Sequence, residues 1–242
     1  MKPLIGITPS PTEDQMGHGT FYRYALSRTY VDSVRVAGGV PVILPTDDQD
    51  VYDILPRLDG LLISGGGDLD PKLYGASEIH PATYGIDSER DSFEIEAFRY
   101  AETHDLPTLC ICRGIQVMAV TMGGELEQDI PSAAPQHLEH RQHHAGKMRE
   151  DVSQTVTIVP GNPLAESIGA DHLDVNSFHH QAVKSAGPTL VTVATAEDGV
   201  IEALWHPGMR FGLGVQWHPE MLAARIPEHA AIFQALVDAA RT

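Results

Sequence analysis

The chain of 242 residues lacks the features of a disulfide-stabilised or membrane-spanning protein. Its only cysteines are Cys110 and Cys112, and a bridge across one intervening residue would close a strained ring that constrains almost nothing. A disulfide scaffold is therefore excluded, and a reducing cytoplasm is the expected location. No apolar run approaches the ~20 residues of a membrane span. Residues 1–15 meet proline and acidic residues too early for a signal-peptide core.

Basic residues are scarce as well. The chain has 16 Lys and Arg against 33 Asp and Glu, a formal net charge of −17. A nucleic-acid partner needs a basic face, and so does docking on anionic lipid, so neither partner is expected. Repeats and low-complexity linkers are also missing. With 42% apolar residues, the chain is expected to fold as one domain over residues 1–242.

What the sequence does contain is an alternation of short β-branched runs with stretches of helical spacing. Strands separated by crossover-length helices build a parallel sheet with helices on both faces. We therefore predict an α/β fold with a central, mostly parallel sheet. The predicted strands are Leu4–Thr8, Val40–Leu44, Gly60–Ser64 and Thr108–Ile111, and the predicted helices are Tyr24–Ala37, Val51–Leu58, Glu89–Thr103 and Arg113–Met122.

Residues 130–150 break this pattern, because they combine prolines, charges and histidines. We predict a long exposed loop. Four of its histidines have spacings that could ligate zinc, but a solvated polar loop without a nearby cysteine is the favoured interpretation, and no metal is expected. The histidines are His137, His140, His143 and His144. Five short strands and a last helix are predicted beyond the loop, at Thr155–Val159, His172–Val175, Leu190–Ala196, Ile201–Trp205, Arg210–Gln216 and Glu228–Ala240.

The segment around Cys112 carries the first chemical signal. Cys112 falls at a predicted strand-to-helix junction, where a nucleophile is exposed on a sharp turn at the carboxyl edge of a sheet. The helix N-terminus lowers a thiol pKa and supplies backbone donors for an oxyanion. Small residues, Cys110 and Gly114, stand two positions to either side. A buried, inert cysteine is the alternative.

The segment Trp217-His218-Pro219-Glu220 supplies a second signal. Pro219 favours an extended His218, and in extended chain His218 and Glu220 point to the same side. The carboxylate can then hold one imidazole nitrogen and present the other to a thiol, as in a catalytic triad. The glycine run Gly65-Gly66-Gly67 before Asp68 ends a predicted strand, where backbone N–H groups can approach a ligand closely.

Taken together, these segments resemble the class I glutamine amidotransferase fold, and within it the gamma-glutamyl-gamma-aminobutyrate hydrolase family, also grouped as peptidase family C26. The resemblance runs nearly end to end. It rests on Ile5–Thr8, Tyr30–Pro41, Gly65–Pro71, Arg90–Glu94, Cys112–Gln116 with Gly123-Gly124, Val175–Val183, Asp198–Ala203 and Gly214–Glu220. One departure is Cys110, where many amidotransferase elbows have glycine, and the 130–150 segment matches nothing in the family pattern.

The resemblance implies a role for each site residue. Cys112 is the nucleophile, His218 the general base and acid, and Glu220 the group that orients His218. The backbone N–H groups of Gly66 and Arg113 form the oxyanion hole. The glutamyl part of the substrate is held by Gln116 and by the backbone around His180 and Gln181.

The implied reaction is hydrolysis of a γ-glutamyl amide, with no metal or organic cofactor. The small-molecule amide is the expected partner, and a homodimer is left open. The leaving amine is also open: γ-aminobutyrate, a polyamine, an aromatic amine or another γ-glutamyl chain. Two rival functions remain. One is a glutaminase subunit that passes ammonia to a synthase, and the other is a catalytically silent binding protein.

Overall fold

The computed structural model describes residues 1–46, 51–134 and 137–241. Within these ranges the chain forms thirteen strands and eight α-helices. The strands are β1 Leu4–Ile7, β2 Ser10–Met16, β3 Gly19–Ala25, β4 Val40–Ile43, β5 Gly60–Ile63, β6 Thr108–Ile111, β7 Glu125–Glu127, β8 Gln154–Ile158, β9 His172–Val175, β10 Ala182–Ser185, β11 Val191–Ala196, β12 Ile201–Trp205 and β13 Gly212–Val215. The helices are α1 Arg28–Val36, α2 Val51–Ile54, α3 Ser88–His104, α4 Arg113–Thr121, α5 Ile130–Ala133, α6 Pro163–Ile168, α7 Pro219–Leu222 and α8 Pro227–Ala239.

One mixed sheet of eleven strands runs through the molecule, with the main order β4-β1-β5-β6-β13-β12-β11-β8-β9. Its first five strands are parallel, and β12, β11, β8 and β9 continue it antiparallel. The remaining strands β7 and β10 pair antiparallel with each other, and β10 also pairs with β12. The predicted α/β fold class is confirmed, with its parallel part in β4, β1, β5, β6 and β13.

Helices cover both faces of the sheet, and each face buries its own apolar cluster. Strand side chains alternate between the two clusters, as the pleat requires. Along β6, Leu109 and Ile111 belong to the first cluster and Cys110 to the second. The first cluster receives α1 and α8 through Tyr30, Val34, Ile232, Phe233 and Leu236, and the second receives α3 and α4 through Phe93, Phe98, Ile115 and Met118.

The parallel half of the sheet determines where the site lies. β6 lies between β5 and β13. Leu109 of β6 pairs in register with Leu62 of β5 on one side and with Leu213 of β13 on the other. Because the three strands are parallel, their carboxyl ends meet at one edge, which is where ligands bind in open α/β sheets. The segments that leave these ends, Gly65-Gly66, Cys112-Arg113 and His218–Glu220, are called the carboxyl edge below.

The predicted helix at Tyr24–Ala37 begins too early. Residues Ser10–Met16 and Gly19–Ala25 instead pair as an antiparallel hairpin, and α1 starts only at Arg28. The hairpin was missed because β2, with the sequence SPTEDQM, shows no apolar alternation and β3 is exposed throughout. A strand is recognised in a sequence by the alternating apolar residues of its buried face, and this hairpin has almost no buried face.

The prediction of a long exposed loop for residues 130–150 holds for most of the described residues there, which are exposed, and is wrong at α5 and at two buried side chains. Residues 130–133 form α5, and His140 and Gln142 are buried. Gln142 receives the N–H of Ser177 on its side-chain oxygen at 2.8 Å and donates to the Asp151 carbonyl at 3.0 Å. His140 and Gln142 therefore fix this segment against residues 177–179, which no local pattern reveals. Pro135 and Gln136 of the predicted loop lie outside the described residues.

Among the described residues, no helix has the length and apolar character needed to cross a membrane.

Candidate active site

Cys112 stands on a strained turn between β6 and α4. Its φ of 54° and ψ of −104° make it one of two non-glycine residues with positive φ in the described chain. Such a conformation costs about 1–3 kcal/mol and is kept where the surroundings enforce it. Here the Cys112 N–H donates to the Val215 carbonyl at 2.8 Å, which ties the turn to the end of β13. The predicted elbow is present.

The neighbours of Cys112 fit the tight turn. A Cβ added to Gly114 would collide with the Ile63 carbonyl oxygen and lie 3.3 Å from the Cys110 Cβ. Glycine is therefore required at 114, and Cys110 fits because its side chain is small. Both cysteines are free, but they differ in setting: Cys110 is fully buried in the second apolar cluster, and burial raises the pKa of its thiol well above the usual value. Cys110 is not suited to be a thiolate nucleophile.

His218 faces Cys112 from the end of β13. Its Nδ1 lies 2.8 Å from Glu220 Oε1, and its ring interacts electrostatically with Cys112. Because a carboxylate only accepts, Nδ1 carries the proton and Nε2 is left for the thiol. Glu220 lies in the first turn of α7 rather than in extended chain, so the predicted pairing is found but its geometric reason was wrong.

Electrostatics favour a charged His218. Burial alone would lower the pKa of the imidazole, but the charges of Glu220 and Cys112 outweigh it and raise that pKa well above its ordinary value. His218 is 8% exposed and Glu220 2%. A buried imidazolium beside Glu220 is the form of histidine that can donate a proton to a leaving group.

Asn176 fixes the backbone of His218, a contact that sequence reasoning did not assign. The His218 N–H donates to Asn176 Oδ1 at 2.8 Å, and Asn176 Nδ2 donates to the His218 carbonyl at 3.0 Å. Tyr30 was also missed. Its hydroxyl accepts the Gly65 N–H at 3.1 Å and lies 3.5 Å from His218 Nδ1. Both residues fall within the segments of resemblance, which was the available signal.

The glycine loop after β5 lies directly against this pair. A Cβ on Gly65 would stand 2.9 Å from His218 Cε1 and 3.5 Å from the Cys112 Cβ. A Cβ on Gly66 would collide with the Arg90 guanidinium. Glycine is needed at both positions for close approach, as the sequence predicted from the run itself.

Arg90 orients that loop. Its Nη2 donates to the carbonyls of Ser64 at 3.1 Å and Gly65 at 3.0 Å, and its Nε donates to Glu94 at 2.8 Å. In a trans peptide the C=O and the following N–H point in opposite directions. With the Gly65 carbonyl turned toward Arg90, the Gly66 N–H is directed away from Arg90.

The Arg113 side chain has a separate structural task. It is buried and bonds Asp91 and Glu94 of α3, so two arginines and two carboxylates balance each other in the interior. Removing one side chain of such a group leaves a buried charge without a partner and lowers the free energy of unfolding by about 3–5 kcal/mol. This network anchors the start of α4, where the Arg113 backbone N–H is one of the donors that an α-helix leaves without an intrahelical acceptor.

The three predicted substrate-binding residues do lie around Cys112. Gln116, His180 and Gln181 line one narrow pocket with Gly66, Cys112 and Arg113. Asp68, Tyr84, Phe178 and His179 complete its lining.

His180 is engaged at both ring nitrogens. Nε2 lies 3.1 Å from Asp68 and Nδ1 3.2 Å from Asp129. Burial alone would lower its pKa, but the hydrogen bonds and charges of the two carboxylates outweigh it and raise that pKa. With a carboxylate beside each ring nitrogen, His180 has no free nitrogen to act as a catalytic base. Asp68 is the pocket carboxylate that sequence reasoning left without a role.

A much larger cleft, of about 620 Å³, lies between the β2–β3 hairpin and the start of α3, and is lined by Tyr22, Tyr24 and Asp87 among others. Cys112 and His218 do not line it. The candidate active site is therefore identified by its converging thiol, imidazole and carboxylate and not by cavity volume.

Comparison with known proteins agrees with this geometry. The chain is 40% identical, over 99% of its length and 75% of the relative, to the Mycobacterium tuberculosis protein named "Putative glutamine amidotransferase Rv2859c". It is 30% identical to the gamma-glutamyl-gamma-aminobutyrate hydrolase PuuD of Escherichia coli K12, over 98% of this chain and 93% of that one. The glutaminase domain of Trypanosoma brucei CTPS shares the fold, with a TM-score of 0.65 at 15% identity over 99% and 94% of the two chains.

The family is shown by a match that spans most of the chain. The family model for Peptidase C26 matches residues 3–220. Together with the hydrolase relative, this match supports a hydrolase. The resemblance read from the sequence is confirmed, and the chain belongs to the Peptidase C26 family.

Proposed function

We propose that this protein hydrolyses a γ-glutamyl amide to glutamate and a free amine through a glutamyl-thioester on Cys112. The observation that carries the proposal is the alignment of the Cys112 thiol, the His218 imidazole and the Glu220 carboxylate at the carboxyl edge. Family membership and the E. coli hydrolase relative support the reaction class.

In the first half-reaction the Cys112 thiolate attacks the γ-carbonyl carbon, and the carbonyl oxygen becomes an oxyanion. The N–H groups of Gly66 and Arg113 are assigned to stabilise it, and each such donor is typically worth about 3–4 kcal/mol. The His218 imidazolium gives its proton to the amine as the C–N bond breaks. Glu220 keeps Nδ1 protonated, so that Nε2 carries the proton that moves.

In the second half-reaction water attacks the thioester. His218, now neutral, takes a proton from that water, and Cys112 leaves as the thiolate while glutamate is released. The charges at Cys112 and His218 return to the starting ion pair, so the cycle balances without any other group.

The pocket charge supports an α-amino acid headgroup. Asp68 and Asp129 carry two negative charges and the His180 imidazolium one positive charge, which leaves a net charge of −1 beside the pocket. That charge favours the α-ammonium of a glutamyl group. Gln116 and the backbone at His180 and Gln181 are assigned to its remaining polar atoms.

A second candidate is a glutaminase subunit that delivers ammonia to a synthase. The M. tuberculosis relative, whose printed name is a glutamine amidotransferase, favours this alternative. An activity assay of the isolated chain distinguishes the two functions, because a free-standing hydrolase needs no partner.

The test is amine release from a panel of γ-glutamyl amides, with glutamine included, by the purified chain. We expect multiple turnovers on at least one amide other than glutamine, abolished in Cys112→Ala and kept in Cys110→Ala. No turnover of any amide by the chain alone, with glutamine hydrolysis appearing only when a synthase is added, would establish the subunit function instead.

A further inference from the structure

Two histidines and a glutamate converge beside the pocket, outside the groups assigned to the reaction. They are His140, His179 and Glu202, called the His–Glu cluster below, and they are 2%, 5% and 0% exposed. One potential ligand atom from each lies within 4.8 Å of the others. The three residues come from distant parts of the chain. His140 lies between α5 and β8, His179 follows β9, and Glu202 lies in β12.

The outer nitrogen of each imidazole is already committed. His140 Nε2 lies 3.0 Å from Asp198 Oδ2, and His179 Nδ1 lies 2.9 Å from the Gln181 carbonyl oxygen. Both partners accept hydrogen bonds, so these outer nitrogens carry the protons. A ring that carries only this proton presents a lone pair on its inner nitrogen. Metal-binding histidines are held in this way, with the second N–H on a carboxylate or a carbonyl.

The inner nitrogens point at one carboxylate. Glu202 Oε1 is 3.4 Å from His140 Nδ1 and 3.5 Å from His179 Nε2. These separations exceed the usual N–H···O range of about 2.7–3.2 Å. They match the edges of a tetrahedron around an ion bound at about 2.0–2.2 Å, which are ~3.3–3.6 Å long.

Two buried atoms of the cluster make no hydrogen bond to any residue the structure describes: His179 Nε2 and Glu202 Oε2. Glu202 and Asp198 also bring two negative charges next to the two imidazoles. A divalent cation would neutralise both charges and give the lone pairs a partner. With each ring singly protonated, an empty centre would leave lone pairs facing each other in a buried site, which is costly.

We propose that His140, His179 and Glu202 bind a divalent transition-metal ion of the Zn²⁺ type. The ligand set of two imidazoles and one carboxylate is one that Zn²⁺ takes. The fourth position falls to water or to the Ser177 hydroxyl, which is 3.3 Å from His140 Nδ1. This proposal replaces the expectation of no metal, and it goes beyond the proposed hydrolysis and does not depend on it.

The ion would hold a wall of the pocket in place. His179 lines the pocket, and its Nδ1 holds the carbonyl of Gln181, which lines it too. Glu202 anchors the other side in β12, where Gln154 Nε2 donates to it at 2.7 Å. A metal ion would therefore tie residues 177–181 to the sheet, in a structural role separate from the proton transfers at His218.

The rival is a set of extra protons, with charged imidazoles sharing Glu202 and no metal. Metal analysis of the purified full-length chain distinguishes the two alternatives. The protein is incubated with Zn²⁺, passed through gel filtration and measured for bound zinc, with Co²⁺ absorption as a second probe of the ligand geometry. We expect about one zinc per chain, a higher Tm with Zn²⁺ than with a chelator, and a tetrahedral Co²⁺ spectrum.

Matched variants locate the ion. Glu202→Gln and His179→Gln should lose the zinc and the Zn²⁺-dependent rise in Tm. His143→Gln and His144→Gln, which remove exposed imidazoles of the nearby turn, should keep both. If Glu202→Gln does not fold, the Co²⁺ spectrum of the unmodified chain decides. No zinc retained by the unmodified chain, zinc retained by the cluster variants, or zinc lost with His143 and His144 would each overturn the proposal.

Discussion

The carboxyl edge and the His–Glu cluster both place histidine against a buried carboxylate, yet they differ in what the other ring nitrogen meets. At the carboxyl edge, Glu220 holds Nδ1 of His218 and the remaining nitrogen faces a thiol. In the cluster, Asp198 holds the outer nitrogen of His140 and the Gln181 carbonyl holds that of His179. The inner nitrogens of both rings face the Glu202 carboxylate. The first arrangement suits the proposed proton transfer, and the second is the proposed cation site. The identity of the second neighbour, not the His–carboxylate pair, decides the chemistry.

The largest expected effect breaks the carboxyl edge at its nucleophile. Cys112→Ala should reduce amide hydrolysis to background, a loss of about 10⁴-fold or more, because no other group can form the thioester. Cys110→Ala should keep most of the activity, since Cys110 faces the second apolar cluster. Steady-state amine release measures both, and a glutamine-like electrophile should label Cys112 alone. An inactive Cys110→Ala beside an active Cys112→Ala would show that the assignment is reversed.

The next effect separates the two triad partners. His218→Ala removes the group that transfers protons in both half-reactions, whereas Glu220→Gln only weakens its orientation and charge. In a serine triad the loss of the orienting carboxylate is roughly 10–100 times smaller than the loss of the histidine, and we expect a similar ratio in kcat here. Equal losses in two folded variants, checked by circular dichroism, would assign Glu220 a larger role.

A smaller effect is expected from the residue that orients the glycine loop. Arg90→Lys keeps the positive charge but removes the fork that binds the carbonyls of Ser64 and Gly65. If the Gly66 N–H stabilises the oxyanion, kcat should fall about 10²-fold with little change in KM, because the lost interaction is made only in the transition state. Arg99→Lys, on the exposed face of the same helix, is the matched control. A rise in KM alone would count against this role of the loop.

The smallest effect is a shift in pH dependence. Because the pKa of His218 is raised, its imidazolium persists to a higher pH than that of an ordinary histidine. The imidazolium is lost as the pH rises through this pKa. The alkaline limb of kcat/KM should therefore lie above the ordinary histidine value of about 6.5. Removing the charge in Glu220→Gln should move the limb to lower pH. A limb that stays in place would mean that Glu220 does not set this pKa.

Much of the carboxyl edge could be predicted from the sequence, because its parts are local. The apolar runs at β5 and β6 mark strand ends, and the residues that follow each run are candidate site residues. His218 and Glu220 are two positions apart, so one short segment shows the pair. The β2–β3 hairpin could not be found in this way, since it has almost no buried face.

The His–Glu cluster could not be predicted, because its three members are brought together only by the fold. His140 was grouped with His137, His143 and His144 by spacing, but it is buried while His143 and His144 are exposed. Its partners lie in β12 and after β9, and nothing in a linear pattern links these places. Tertiary contacts, rather than local propensity, determine this site.

The central claim is that Cys112 is acylated by a γ-glutamyl amide with His218 as the proton donor. The most direct measurement is intact-protein mass analysis after acid quenching of a rapid reaction between the isolated chain and the amide that turns over fastest. We predict a transient glutamyl adduct, located on the peptide containing Cys112 and missing in Cys112→Ala. Steady amine release without any adduct on Cys112, or with the adduct on another residue, would contradict the account.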